Sequence, residues 1–446
     1  MKAINLTEGS ITGNIRRFAV PYMLAYFLQI LYGLADLFVV GQYCGVDAIT
    51  AVSNSGQVMY LITAVLIGLA MGTTVEIGHG VGANDRRRTA RAIGNTVTVF
   101  LIIAVVLGAT LLSLRHAIVA AIDTPAEAVD GSIDYLTVCF IGVPFIIGFN
   151  ILASIFRGLG DSRSPMIFVA VACAVNIGLD YLLIGGLGMG AMGAALGTTL
   201  SQMTSVVVAI VAIRRRGLFP PLSRADFRID RRTAGRILKV GTPIALQDGF
   251  IQVSFIAITI IANNRGLLDA AAVGIVEKLI GLLFIVPSAM LASVSAISSQ
   301  CIGANRMGRA ITTMKYAIAI AAGFGFCAAT ILQFIPDLAM RIFTQDEGVV
   351  ALGAEYLRGY AWDCALAGVH FCFSGFFTAC GLSIVSFVHN VISIVTARVP
   401  LAYLASIKFP DTLYPMGLAT CAGSVVSIVI CLIAYRWLWR HHRIHS

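Results

Sequence analysis

A handful of ionisable side chains inside the long apolar stretches of this sequence could do chemistry, among them Asp36, Asp180, Glu277, Lys278, Asp363 and Arg398. An ionisable residue at the centre of a bilayer costs at least about 2.5–3.5 kcal/mol, so one that is kept there is by default a functional candidate. A carboxyl group in a low-dielectric cavity can bind and release a proton near neutral pH. Asp36 and Asp180 are therefore the carboxyl groups best suited to hold a proton or a cation.

Two polar neighbours could complete that cation-coupling and substrate site. Asn176 precedes Asp180 by four residues, so the two side chains share one helical face. Thr198, in the next apolar stretch, could add a hydroxyl group. For Asp36 a second interpretation is open, in which it lies at the end of its span, in water or capping the following helix.

The second half of the chain offers further candidates. Glu277 and Lys278 are adjacent, so they point about 100° apart on a helix and need partners from other helices. Asp363 and Arg398 could form a buried pair, in which case both are structural; coupling and structural roles are both open.

Weaker polar candidates lie at two other places. The seventh apolar stretch carries Asp248, about one turn beyond Pro243, beside the amides Gln247 and Gln252. Glu76 and His79 stand where the second apolar stretch is predicted to meet the cytoplasm, and they are interpreted as a solvated loop start.

The elements that position these residues must be membrane helices. The 446 residues are 58% hydrophobic and 12% charged, whereas soluble chains average roughly 45–50% and about 25%. Apolar stretches long enough to cross a hydrocarbon core recur along the chain, and helices satisfy their own backbone in lipid. The first stretch lacks signal-peptide features and is interpreted as a retained span. Hydropathy predicts twelve spans, near 18–40, 49–75, 93–114, 134–156, 166–185, 191–213, 239–262, 271–297, 311–334, 355–380, 384–406 and 417–439.

The basic residues predict the orientation. Most of the 31 Lys and Arg residues fall at the chain ends and in alternate loops, which places both termini in the cytoplasm of a multi-pass inner-membrane protein. The same rule accounts for the net charge of +9, so nucleic-acid binding is not predicted.

An internal repeat divides the chain into two halves. Val81-Gly82-Ala83-Asn84 matches Ile302-Gly303-Ala304-Asn305, and Pro21 matches Pro243 at nearly the same offset. Chance pairing of apolar sequence is the alternative, and the shared loop and proline argue against it. We predict an all-α membrane protein with twelve transmembrane helices in two pseudo-symmetric six-helix lobes around a central cleft. The lobes are residues 1–213 and 239–446, and a basic cytoplasmic linker covers 214–238.

Enzyme chemistry is not predicted. An intramembrane enzyme needs a nucleophile with a base, or metal ligands such as HExxH, and neither pattern appears. The ten cysteines are scattered through apolar segments and are interpreted as buried structural thiols. No cofactor and no firmly bound metal are expected.

The chain resembles the multidrug and toxic compound extrusion (MATE) family over nearly its whole length. The resemblance rests on a proline early in span 1, on the Gly-Ala-Asn loops after spans 2 and 8, and on these segments: Leu34-Ala35-Asp36 leading to Val40-Gly41, Arg157-Gly158-Leu159-Gly160-Asp161, Asn176 to Asp180, and Gly193-Ala194-Ala195 with Thr198. It implies export of small amphipathic, often cationic compounds in exchange for H⁺ or Na⁺, by a protein that functions as a monomer in the lipid bilayer.

The resemblance also implies residue roles. In the most similar branch a cation network, which could hold Na⁺, falls on Asp36, Asn176, Asp180 and Thr198, and the first helix bends at Pro21. In another branch the second lobe binds Na⁺ through a Glu on helix 7 and an Asp on helix 10. Here helix 7 carries Gln247, Asp248 and Gln252 instead of a clear Glu, although Asp363 is available on helix 10, and this departure favours the first lobe.

Two other classes of function stay open from the sequence. A flippase for a lipid-linked precursor shares a related two-lobe fold, but it should have a cationic cleft, and Lys278 and Arg398 are the intramembrane bases found. A channel is disfavoured by the duplicated architecture.

Overall fold

The computed structural model describes residues 5–217 and 219–440, so the outermost ends of the predicted lobes, 1–4 and 441–446, lie outside the described residues. Within the described part all regular structure is helical. The helices are α1 (Ile11–Tyr43), α2 (Val46–Gly82), α3 (Arg86–Ala121), α4 (Val129–Ile141), α5 (Val143–Gly158), α6 (Arg163–Asp180), α7 (Gly190–Arg216), α8 (Arg231–Asn263), α9 (Leu267–Leu283), α10 (Ile285–Gly303), α11 (Met307–Phe334), α12 (Pro336–Arg341), α13 (Glu347–Tyr360), α14 (Asp363–Ala379), α15 (Ser383–Ser393), α16 (Val399–Lys408) and α17 (Tyr414–Arg440). Short 3₁₀ helices cover Ala126–Ala128 and Arg224–Phe227, and π-helical turns cover Tyr181–Gly186 and Ile394–Arg398.

The chain forms two compact units. The first contains Val20–Gly241, and the second contains Leu6–Ala19 together with the chain from Thr242 onward. The helices α1 and α8, which contain Pro21 and Pro243, therefore each begin in one unit and continue into the other. Both prolines lie inside helices that continue on either side of them.

The twelve-span layout agrees with the helices, with two spans broken. Within the described residues ten helical segments are long and apolar enough to cross a membrane, and α4 with the preceding turn forms an eleventh span with α5 across a 51° bend. The one remaining predicted span, 355–380, is divided into α13 and α14, and α14 has 17 residues. Gly142 lies at the first break, where a Cβ atom would overlap the side chain of Thr199 on α7, and Pro144 is the second residue of α5.

The described part of the predicted linker packs against α3 within the first unit. The Asn95 amide nitrogen donates to the carbonyl of Asp226 (3.2 Å), and its oxygen accepts from the backbone N–H of Asp230 (2.7 Å). Hydrogen bonds from the Ser223 hydroxyl and backbone N–H hold the pKa of Asp226 below its ordinary value. The stretch 226–230 of the linker is thus held against α3 by hydrogen bonds between its backbone and the Asn95 side chain.

Glu76 corrects one of our expectations, because it is buried rather than part of a solvated loop start. Its side chain is 4% exposed and accepts two hydrogen bonds from Arg88 (3.0 and 3.2 Å), while Arg236 at the start of α8 lies 2.9 Å away. The neighbouring backbones touch, since a Cβ atom at Gly72 would overlap the carbonyl of Ile237. Glu76 therefore joins α2, α3 and the first part of α8.

We expect Glu76→Gln to lower the apparent melting temperature of the purified protein by several degrees. The amide keeps the size of the side chain but leaves two arginines without a counter-charge, at a cost of about 1–3 kcal/mol. Thermal unfolding in detergent measures the effect, and Glu127→Gln, at an exposed acidic residue, is the matched control. Equal melting temperatures for the two variants would show that the ion pairs do not hold α8 in place.

Candidate functional site

Asp36 lies inside the first unit, on α1, with 6% of its surface exposed. The Thr198 hydroxyl of α7 donates a hydrogen bond to its Oδ2 atom over 3.2 Å. The residue stands two turns before the end of α1, and Gly45 occupies the cap position of α2. The interpretation of Asp36 as a solvated or capping residue is therefore wrong.

The last turn of α6 brings Asp180 and Asn176 to the same place. They are 0% and 1% exposed, and both side chains face the Asp36 carboxyl group closely enough to interact with it. The structure thus gathers all four residues predicted for the first-lobe site. Among the described residues, Asp36 Oδ1, both carboxylate oxygens of Asp180 and both amide atoms of Asn176 have no hydrogen-bond partner of good geometry. Buried polar atoms in folded proteins are nearly always paired, so this group is suited to a ligand.

The charges of the site also indicate that it is suited to a positively charged ligand. Asp36 and Asp180 interact with each other, and no Lys or Arg in the described part of the chain forms an ion pair with either. Two ionised carboxylates in a low-dielectric site repel each other strongly. A proton or a monovalent cation that enters between them removes this repulsion, and the threonine and amide oxygens add neutral ligands.

Local structure at α6 and α7 creates the space for the two carboxyl groups. The π-helical turn Tyr181–Gly186 begins directly after Asp180, and such turns often mark functional sites. Gly197 on α7 faces this end of α6. A Cβ atom at Gly197 would overlap Asp180 Oδ1 and lie 3.5 Å from the Asn176 amide nitrogen.

Tyr32 and Gln202 are further polar neighbours of the site that we did not predict from the sequence. Tyr32 precedes Asp36 by one turn of α1, Gln202 follows Thr198 by one turn of α7, and the two side chains are within hydrogen-bond reach of each other. Both line a small cavity in the first unit, together with Gln29, Phe149, Val169, Ala172 and Ser201. The spacing of four residues from Asp36 and Thr198 is the signal that could have identified them.

The second unit places Asp363 and Arg398 in one polar region without a direct ion pair. Asp363 is 2% exposed, and its Oδ1 atom has no hydrogen-bond partner among the described residues. The Arg398 guanidinium instead donates to the Tyr360 hydroxyl (2.7 Å) and lies 4.8 Å from the centroid of the Phe255 ring. Charge attraction between Asp363 and Arg398 remains, at longer range.

The remaining second-unit candidates do not gather into one site. Glu277 faces Arg398, whereas the side chain of its neighbour Lys278 is exposed, in agreement with their predicted divergence. Gln247 is 4% exposed and Gln252 is half-buried. Within the described residues neither amide makes a hydrogen bond to Asp363 or Glu277.

A match between this sequence and a protein-family model identifies the family to which the chain belongs. The MatE family model matches residues 21–182 and again 243–404, so its two copies begin at Pro21 and Pro243, the pair of prolines that the internal repeat aligns. The chain belongs to the MatE family. As a member of the multidrug and toxic compound extrusion transporters it is a transport protein and not an enzyme, and transporters of this family need no cofactor.

Curated MATE relatives match along most of their length. The probable multidrug resistance protein YpnP of Bacillus subtilis (strain 168) is 27% identical over 410 residues, which cover 91% of each chain. The probable multidrug resistance protein NorM of Thermotoga maritima is 26% identical over 409 residues, covering 88% of this chain and 85% of the relative. These MATE matches do not favour the flippase alternative.

Solved MATE structures share the fold. A MOP-superfamily transporter from Pyrococcus furiosus has a TM-score of 0.90 at 22% identity and covers 100% of this chain and 98% of that chain. A MATE crystal structure in complex with MaD3S has a TM-score of 0.91 at 23% identity, with 99% of each chain covered. Together with the ten apolar helices of the described residues, these findings confirm an all-α, multi-pass membrane protein with the layout of a MATE transporter.

Proposed function

We propose that this MATE protein is a secondary active multidrug exporter that antiports organic, often cationic compounds against H⁺ or Na⁺ by alternating access. The observation that carries the proposal is the buried pair Asp36 and Asp180, which face each other without a basic partner among the described residues. The multidrug resistance proteins among the relatives support the substrate class.

Each residue of the first-unit site has a part in the exchange. Thr198 orients Asp36 through its hydrogen bond, and Asn176 shares the helical face of Asp180. A proton would bind to one of the two carboxyl groups, whereas Na⁺ would take oxygen atoms from all four side chains. When the carboxylates are ionised they attract an organic cation, and when they are neutralised they release it.

Coupling needs the bound ion to favour one conformation. A differential affinity worth a few kcal/mol is enough to move a two-state equilibrium. Pro21 removes a backbone hydrogen bond within α1, so it is the point at which this helix would bend when Asp36 changes charge. The available driving force is of the same size, about 2.3 kcal/mol per charge per 100 mV of membrane potential.

The working unit is one chain in the cell inner membrane, with both termini in the cytoplasm. We propose lobes 1–213 and 239–446 and a linker 214–238 as its parts. Alternation between cation and compound at Asp36 and Asp180 needs no second copy of the chain. The second-unit residues Gln247, Gln252, Glu277, Lys278, Asp363 and Arg398 are secondary candidates for binding.

Efflux of a fluorescent organic cation from cells tests the proposal and identifies the ion. Export by wild type is measured with both gradients intact, with the proton gradient collapsed, and with the sodium gradient collapsed. We expect export to stop when one of the two gradients is lost, and that gradient names the coupling ion. Cells with the vector alone are the control. Export that continues under both collapses would contradict cation coupling, and absence of export in wild type would contradict the substrate class.

A further inference from the structure

Large apolar side chains are exposed in the linker, although hydrogen bonds to α3 hold this part of the chain in place. Leu222, Phe227 and Ile229 are 36%, 38% and 51% exposed. Exposed arginines lie beside them in the stretch 222–232, which we call the linker segment: Arg224, Arg228, Arg231 and Arg232. A basic segment with exposed apolar and aromatic side chains is typical of chain that lies in the interface of a membrane.

The backbone of the linker segment is fixed at one height along α3. Besides the hydrogen bonds of Asn95, the Thr98 hydroxyl donates to the Phe227 carbonyl over 2.8 Å. One turn earlier on α3, a Cβ atom at Gly94 would overlap the Asp226 carbonyl, so the two backbones touch. The linker segment therefore cannot leave α3 without breaking these contacts.

That height is the edge of the apolar surface of α3. Leu101, Ile102 and Val105 are 59%, 48% and 62% exposed, on a helix that is long and apolar enough to cross a membrane. They follow Thr98 by three, four and seven residues, so they share its helical face, whereas this face carries the polar Asn95 one turn before Thr98. The rise from Thr98 to Leu101 is about 5 Å, so the linker segment lies one turn outside the lipid-facing surface.

The surroundings of the linker segment are strongly basic. The stretches 76–91 and 223–236 together contain nine arginines and four acidic residues. Two of the nine, Arg88 and Arg236, form ion pairs with Glu76. Each of the three aspartates accepts hydrogen bonds from its chain neighbours. Within the described part of the chain the other seven arginines form no ion pair: Arg86, Arg87, Arg91, Arg224, Arg228, Arg231 and Arg232.

Charge and position together indicate the chemistry of a partner. Arg86 and Arg87 stand in the first turn of α3, where the helix dipole disfavours positive charge, and an anion that binds beside them removes this cost. A soluble anion would have no use for the exposed apolar side chains. A phospholipid presents a phosphate directly beside its acyl chains, which matches the order of the arginines, Phe227 and Leu101 along this surface.

We propose that the linker segment and the first turn of α3 bind anionic phospholipids at the membrane surface. Phe227 and Ile229 enter the boundary between headgroups and acyl chains, and the seven arginines without ion pairs contact lipid phosphates. Each basic residue near an anionic bilayer surface strengthens this attraction. The inference goes beyond the proposed export function and does not depend on it, because lipid contact is measured without transport.

Quenching of tryptophan fluorescence by brominated lipids tests the contact at one residue. Phe227→Trp places an indole in the linker segment of the full-length protein, which is reconstituted in vesicles of phosphatidylcholine and phosphatidylglycerol. The acyl chains of one lipid or the other carry bromine, and the quenching of wild type, with its three tryptophans, is subtracted. We expect both lipids to quench residue 227, and phosphatidylglycerol to associate there at least about fivefold more tightly. Ile229→Trp is a second probe position if Phe227→Trp folds poorly.

Paired substitutions of arginine separate local recognition from net charge. Arg228→Gln with Arg231→Gln removes two charges beside the probe and should at least halve the preference for phosphatidylglycerol. Arg436→Gln with Arg440→Gln is the matched control, because it removes the same charge from exposed arginines of α17, in the other unit. This control should keep the wild-type preference at residue 227. An equal fall in both pairs would overturn the proposal.

Inorganic phosphate distinguishes a lipid phosphate from a soluble one. It is added at constant ionic strength, and we expect the preference for phosphatidylglycerol to remain. Loss of the preference would assign the arginines to a soluble anion and overturn the proposal. Absence of quenching by either brominated lipid would place the linker segment away from the bilayer, and equal association of the two lipids would mean contact without recognition of charge; both results would overturn it.

Discussion

Asp36→Asn should strongly lower gradient-driven export of organic cations while the protein still reaches the membrane in normal amount. Asparagine has nearly the shape of aspartate and can still accept the hydrogen bond that Thr198 donates. It cannot take up a proton, and it removes one of the two charges that would hold a cation. Because each 1.4 kcal/mol of lost conformational bias is a factor of ten, we expect at least about a tenfold fall in export rate.

Asp47→Asn is the matched control for Asp36→Asn. Asp47 is an exposed acidic residue in the first turn of α2, so the same chemical change there should leave export at the wild-type rate. The measurement is efflux of a fluorescent organic cation at equal expression, with melting temperature as the check on folding. Wild-type export by Asp36→Asn would move the coupling site elsewhere, and Asp363 or Glu277 would then be the leading candidates.

The second large effect is expected at a residue without a side chain. Gly197→Ala adds a Cβ atom that would overlap Asp180 Oδ1, so the carboxyl group must shift from its present position facing Asp36. The carboxylate is the free end of a short side chain, so this movement costs little stability. We therefore expect export to fall at least about tenfold with a nearly unchanged melting temperature, because the site depends on position within about 0.5 Å.

Gly178→Ala separates this effect from a general effect of alanine. Gly178 lies on α6, two residues before Asp180, and a Cβ atom there meets no atom within 4 Å. This variant should export like wild type and could gain about 0.4–1 kcal/mol of stability, since alanine restricts the unfolded chain. Equal export by the Gly197 and Gly178 variants would mean that the contact between Asp180 and Asp36 is not required.

The sequence alone determined the architecture of this transporter. Long apolar stretches require helices in a membrane, and the internal repeat divides them into two lobes; the family model, which matches once from Pro21 and again from Pro243, agrees. The candidates Asp36, Asn176, Asp180 and Thr198 also followed from residue type and from family resemblance. Helical spacing links Asn176 to Asp180, but the contact between Asp36 and Thr198 joins residues 162 positions apart, for which the resemblance was the guide.

Tertiary structure decided the details that depend on distant neighbours. The space that Gly197 leaves for Asp180, the burial of Glu76 between two arginines, and the position of the linker segment against Thr98 each involve separate parts of the chain. Periodicity relates a residue to those three or four positions away and carries no information about which helices pack together. In lipid, moreover, apolar side chains face both bilayer and protein, so hydropathy identified the spans but could not show which polar residues meet.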